Sequence, residues 1–232
     1  MSLDTWPIDI LSPKGGRGWY LSNVANPGDT SAEGLNRFAV TDGGGGWMCE
    51  MSVDCKTIDK LRVARLMVDR QDGGAGMVIV PDIDVGVAPF PTGGVSGLVP
   101  FDDGATFSDT AEFYSVAITA SVGAGGAALR ATTMALTATA MATLKGGEPF
   151  SVVHPTQGKR RYSIVRVNDD GTIEFRPPLR EAVSEGDALL FDPKDVGCVM
   201  RLVNAKDALA GLNPPFFMTV NLVFQEAFDD VT

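Results

Sequence analysis

The residue types that could carry chemistry are few and scattered along the chain. His154 is the single histidine, so a site needing two imidazoles is excluded. A Ser-His-Asp arrangement would rest on one residue followed by Pro155, where an exposed loop histidine is the expected reading. Cys49, Cys55 and Cys198 are odd in number and cannot all pair with one another. Cys49 and Cys55 lie on one strand-like stretch with no second pair at zinc-ligand spacing, which favours buried free thiols over a metal site.

Asp102, Asp103, Asp109 and Glu112 crowd the segment PFDDGATFSDTAEF. Paired carboxylates can act as acid and base on a glycosidic bond, or ligate calcium. The spacing fits no EF-hand loop, and a solvated segment is the simpler reading. The glycine clusters at 43–46 and 123–126 lack the Lys-Ser/Thr pair and following helix of a phosphate loop, so turns are expected there. Lys159, Arg160 and Arg161 form a lone basic triplet, read as a solvated hairpin or a salt bridge to a neighbouring subunit. The aromatics Trp6, Trp19, Tyr20 and Trp47 could stack on sugars, anchor a protein interface or plug the ends of a core. Position alone leaves all three open. No catalytic, metal or cofactor-binding residue is expected. Trp19, Tyr20, Trp47, Arg176 and Arg180 are the candidates for an interface or a sugar-stacking surface.

The elements that must position these residues are mostly strands. Among 232 residues, 27 Gly and 14 Pro imply many turns between short elements. Nineteen basic against 29 acidic residues give a net charge of -10, which argues against direct nucleic-acid recognition, because phosphate binding is driven by Lys and Arg. No apolar segment opens the sequence, and the weakly polar run 116–144 is broken by Gly, Thr and Arg130. Synthesis in a reducing cytoplasm and no membrane insertion are the expectations.

Residues 37–42 and 47–55 alternate around four glycines, as a β-hairpin does. Thr57 is placed to cap a helix over 58–70, with Ile58, Leu61, Ala64 and Val68 on one face and Val63, Leu66 and Met67 widening it. Residues 77–81 return as a buried strand. Residues 82–110 are loop-like, and a connection of that length is more often functional or interfacial than idle. Strands are expected at 113–122, 127–133, 135–144, 150–153, 161–167, 172–175, 188–191 and 199–203. The strong alternation of 216–228 predicts a final strand pairing centrally.

The segment GTIEFRPPLREAVSEGDALLF contains a proline knuckle. Pro177 and Pro178 end a strand, Leu179 tucks into the end of the module, and Arg176 and Arg180 stay wet or reach Glu181 and Glu185. The fold expected is mainly β: a β-sandwich with one flanking helix near 57–70, built from residues 1–112 and 197–232, plus an inserted small β-barrel of OB-like type at 113–196.

Two stretches carry a resemblance. RFAVTDGGGGWMCEMSVDCKTIDKLRVARLMVDRQDGGAGMVIVP resembles the ring-forming domain of the distal tail proteins of long-tailed bacteriophages and related gene transfer particles. LKGGEPFSVVHPTQGKRRYSIVRVNDDGTIEFRPPLREAVSEGDALLFDPKDVGCVMRL is similar to a module recurring in phage tail-tip proteins. PFDDGATFSD resembles a Pro-Phe-Ser-Asp-Gly loop of these proteins, with Asp102 in place of the serine. The resemblance implies a structural virion protein of a siphophage tail tip, made in the host cytoplasm and not an enzyme. Such a protein forms a ring, in the family a homohexamer, that joins the tail tube protein to the baseplate hub protein. Its outer module is of OB or galectin type and has a host-surface glycan as candidate partner. The alternatives are a carbohydrate-binding β-sandwich module, another tail-tip or tail-tube protein, and a hydrolase using the carboxylates of 102–112.

Overall fold

The computed structural model of the chain describes residues 3–22, 26–30, 37–40, 44–82, 87–90, 118–209 and 218–229. The fold is mainly β, with two antiparallel sheets, one flanked by a single helix and the other nearly closed into a barrel. The first sheet has the order β1 (Pro13–Ser22), β4 (Gly46–Cys55), β13 (Met218–Glu226), β12 (Gly197–Leu202), β5 (Val78–Pro81). The strands β2 (Asn26–Thr30) and β3 (Arg37–Val40) pair with each other as a separate ribbon. The hairpin expected between 37–42 and 47–55 therefore does not form: β4 pairs with β1 and β13 instead.

Alternation decides which side of β4 faces inward. Trp47, Cys49, Met51, Val53 and Cys55 are all buried while the residues between them are not. Val220, Leu222 and Phe224 do the same on β13, which sits centrally, as its sequence pattern predicts. Helix α1 (Ile58–Asp69) covers this face. Thr57 caps it by accepting the Lys60 N–H at 3.3 Å. Its inward stripe is narrower than the sequence suggests: Ala64, Met67 and Val68 are buried, whereas Ile58 and Leu66 are about half exposed. Trp6 and Leu11 of the amino-terminal segment complete the core, Trp6 meeting Phe224 edge-on at 5.3 Å.

The second sheet has the order β11 (Ala188–Leu189), β6 (Thr119–Val122), β7 (Thr133–Ala140), β10 (Thr172–Arg176), β9 (Gly158–Val167), β8 (Pro149–His154). Its first and last strands meet through Ser151 and Leu190, whose N–H groups each donate to the other's carbonyl at 2.8 and 2.9 Å, so the sheet curls back on itself. Phe150, Tyr162, Phe175 and Phe191 fill its interior. The stretch 127–133, expected as a strand, is a bridge and a turn closed by Ala131 N–H to Ala128 O at 3.0 Å. The hairpin at 168–171 forms as expected, with Gly171 at φ 82° and Asn168 O accepting its N–H at 3.1 Å. Among the described residues no helix is long and apolar enough to cross a membrane.

The chain leaves the first sheet at Pro81 and re-enters it at Gly197, and these two residues are register partners. The barrel is thus carried between two adjacent strands of the first sheet.

Candidate functional site

Three of the sequence candidates, Trp19, Trp47 and Arg180, meet at the seam between the barrel and the first sheet, in roles other than those expected. Trp19 on β1 and Trp47 on β4 lie across adjacent strands with their rings edge-to-face, centroids 6.1 Å apart. The Arg161 guanidinium, reaching over from β9, lies 4.2 Å from the Trp47 ring and 5.0 Å from the Trp19 ring. Its Nε donates to Asp82 Oδ2 at 2.7 Å, and the Trp47 indole N–H donates back to the Arg161 carbonyl at 2.6 Å. Trp47 is 4% exposed. It forms a socket for a cation and is not a platform for a sugar. The indole faces supply the quadrupole attraction and Asp82 supplies the counter-charge.

A second knot forms around Glu226, at the end of β13. Strand alternation puts it on the same inward face as Val220, Leu222 and Phe224. Its carboxylate receives Arg180 Nε at 3.0 Å and Nη2 at 2.9 Å, and the Trp47 backbone N–H at 3.0 Å; Arg160 Nη1 stands 3.6 Å away. Arg180 Nη2 also donates to Gly45 O at 2.7 Å. Arg160 donates to Ala227 O and, at 3.0 Å, to Gln157 Oε1. The Phe228 ring flanks both guanidinia, 4.8 Å from Arg180 and 5.9 Å from Arg160. Ser151 adds a neutral link, donating to Gly197 O at 2.7 Å and accepting Gly197 N–H at 2.8 Å.

These contacts correct three sequence readings. The triplet 159–161 is not a solvated hairpin: Lys159 Nζ donates to Asp195 O, and Arg160 and Arg161 are buried in ion pairs within the chain. Arg180 does not reach Glu181 or Glu185. Glu181 instead accepts the Thr156 N–H, and Glu185 the Gly125 N–H. His154 is buried at the end of β8 and is not an exposed loop residue. For Arg160, Arg161 and Arg180 the first sheet covers what the local sequence would leave in water, whereas His154 is enclosed within the barrel beside Tyr162.

His154 Nε2 lies 2.7 Å from the Tyr162 hydroxyl, which also accepts the Arg180 N–H at 3.1 Å. The hydroxyl and Nε2 share one proton, and His154 Nδ1 is buried with no partner among the described residues. Burial pushes the His154 pKa down to about 4 and the Tyr162 phenol up.

The remaining candidates stand apart from the seam. Tyr20 points to the other side of β1, its hydroxyl donating to Glu50 and the Arg17 guanidinium lying 3.8 Å over its ring. That hydrogen bond to Glu50 raises its pKa. Arg176 pairs with its strand neighbour Glu174 at 3.2 Å and caps Phe175 O at 2.9 Å. Leu179 is buried in the barrel, as the knuckle reading requires. Asp102, Asp103, Asp109 and Glu112 lie outside the described residues. Cys49, Cys55 and Cys198 are free and buried, burial pushing Cys49 and Cys198 up to about 12. Among the described residues no three His, Cys, Asp or Glu side chains gather as metal ligands would.

Sequence reasoning missed Glu226, Asp82 and the roles of Arg160 and Arg161. Glu226 had a visible signal, a carboxylate two residues past Phe224 in a strictly alternating strand. What the seam does chemically is hold two sheets at a fixed angle through desolvated charges. No protein-family model and no curated protein matches this chain.

Proposed function

We propose that the protein is a structural component of a siphophage tail tip, a distal tail protein whose copies form a ring between tail tube and baseplate hub. The observation that carries the reading is the fastening of the barrel. A module inserted between two adjacent strands and locked to the sheet by Glu226, Asp82 and three arginines is held as one body with it. That suits a particle part that must present an outer module at a set angle.

Further features agree with this role. The outer edge of β5 is covered by the amino-terminal segment, Trp6 N–H donating to Ile79 O at 2.8 Å and Ile79 N–H to Asp4 O at 2.9 Å. The opposite edge, β1, has no other strand partner among the described residues. Ile58 and Leu66 present exposed aliphatic surface on α1. An unpaired strand edge and exposed aliphatic side chains are the kind of surface that heterologous ring contacts use. The net charge of -10 suits a lumen that DNA must pass without sticking. In this reading the partners are other copies of the chain, the tail tube protein and the hub protein, and the location is the virion.

Native mass spectrometry of the purified protein, with immunogold labelling of purified tails, tests the reading. A closed oligomer and label at the tail tip are expected. A strict monomer at high concentration, together with unlabelled particles, overturns it.

A further inference from the structure

A cleft of about 470 Å³ opens beside the seam, its lining including Gly44, Gly45, Leu129, Arg130, Arg180 and Phe228. Its charges are unevenly used. Arg180 and Arg160 share Glu226, and Glu181 is engaged by the backbone of Thr156 and Gln157. Arg130 is different: it is exposed at the cleft, and its guanidinium has no hydrogen-bond or ion-pair partner among the described residues. Two arginines therefore line the cleft, Arg180 neutralised by the buried Glu226 and Arg130 not.

The backbone of Arg130 carries a second signal. It is the third residue of the turn at 128–131, with φ 67°, a left-handed conformation that glycine adopts freely and arginine does not. Its N–H donates to Leu179 O at 2.9 Å, which fixes the turn against the proline knuckle. The chain thus keeps a strained arginine where glycine would be easier, and aims it into a cleft. Strain held in this way at a surface concavity points to a ligand. The walls supply the rest: Phe228 and Leu129 are more than half exposed, and Gly44 and Gly45 add lining without side chains.

We propose that this cleft binds a small anionic ligand of monosaccharide size, its carboxylate or phosphate taken by Arg130 and its carbon skeleton lying against Phe228 and Leu129. A planar guanidinium grips either group with two parallel N–H donors. The proposal goes beyond the tail-tip reading and stands or falls separately from it.

Saturation-transfer NMR and calorimetry on the full chain, with glucuronate, glucose 6-phosphate and glucose as probes, form the test. At least one anionic probe binds and glucose does not. Which anion binds identifies the group recognised. Arg130→Gly relieves the turn, so its melting temperature equals or exceeds that of the parent while affinity for the anion falls about ten- to hundredfold. Failure of both anions to bind, equal binding of glucose, or unchanged anion affinity in the stably folded R130G protein would overturn the proposal.

Discussion

Replacing Glu226 by Gln tests whether the seam is held by charge. The Glu226 side chain is fully buried; Arg160 is likewise buried, and Arg180 is only 12% exposed. A neutral amide of the same shape keeps the volume but leaves two guanidinia sharing one space without a counter-ion. Its NH₂ group also faces N–H donors of Arg180, Arg160 or Trp47. Uncompensating a buried pair in this way costs about 3–5 kcal/mol. In a chain of this size that corresponds to a fall in melting temperature of roughly 6–20 °C. Arg176→Ala is the matched control: its pair with Glu174 is 37% and 30% exposed, and its loss costs less than about 1 kcal/mol.

The assay is urea unfolding followed by two probes. All three tryptophans, Trp6, Trp19 and Trp47, belong to the first sheet or pack against it, so their fluorescence reports that sheet, whereas far-ultraviolet circular dichroism reports both. In the parent the two curves coincide. In E226Q they separate, because the barrel is no longer latched and the sheets unfold independently. An E226Q protein within about 1 kcal/mol of the parent, with coincident curves, would refute the argument.

Two further outcomes follow from buried titratable groups. His154 is held near 4 in the fold against an ordinary 6.5, so between these values the unfolded chain binds more protons than the folded one. Stability from this group is complete above pH 6.5 and falls by about 3 kcal/mol as pH drops to 4. His154→Gln, whose amide can either donate to or accept from the Tyr162 hydroxyl, shows a shallower loss in unfolding free energy between pH 7 and 4.5, and an unchanged slope would count against the neutral buried imidazole. For the thiols, burial raises all three, so Ellman's reagent at pH 8 titrates none in the native protein and all three after denaturation. Rapid reaction of any one in the native state would contradict their enclosure.

Sequence legibility followed the range of the interaction. Strand β4 is readable from Trp47 to Cys55 because alternation is a local property, and helix α1 is readable from Thr57 and its apolar spacing. The partners of β4 were not readable. A glycine-rich tip next to an alternating run predicts a local hairpin, yet β1 and β13 win through contacts that no short window contains. The narrowed stripe of α1 is likewise a tertiary outcome: Ile58 and Leu66 have the right residue type but stay about half exposed once the helix has docked. Arg160 and Arg161 are the sharpest case. On an isolated hairpin two arginines are solvated, and only the docking of the barrel on β12, β13 and the tryptophan pair buries them. Arg180 stands out beside the two prolines, but its partner lies 46 residues away in sequence. Arg130 gave no sequence signal, because a strained φ is a property of the folded turn.

The register pair Pro81 and Gly197 has a mechanical meaning. A body joined at neighbouring points on one sheet is a pendulum, free to swing about its attachment unless something stops it. Glu226 and Asp82 are the stops, gripping arginines that the barrel brings on β9 and in its knuckle. Below its lowered melting temperature a protein altered at Glu226 keeps both sheets folded but loses the stop that sets the direction of the barrel, and so fails to fit its neighbours.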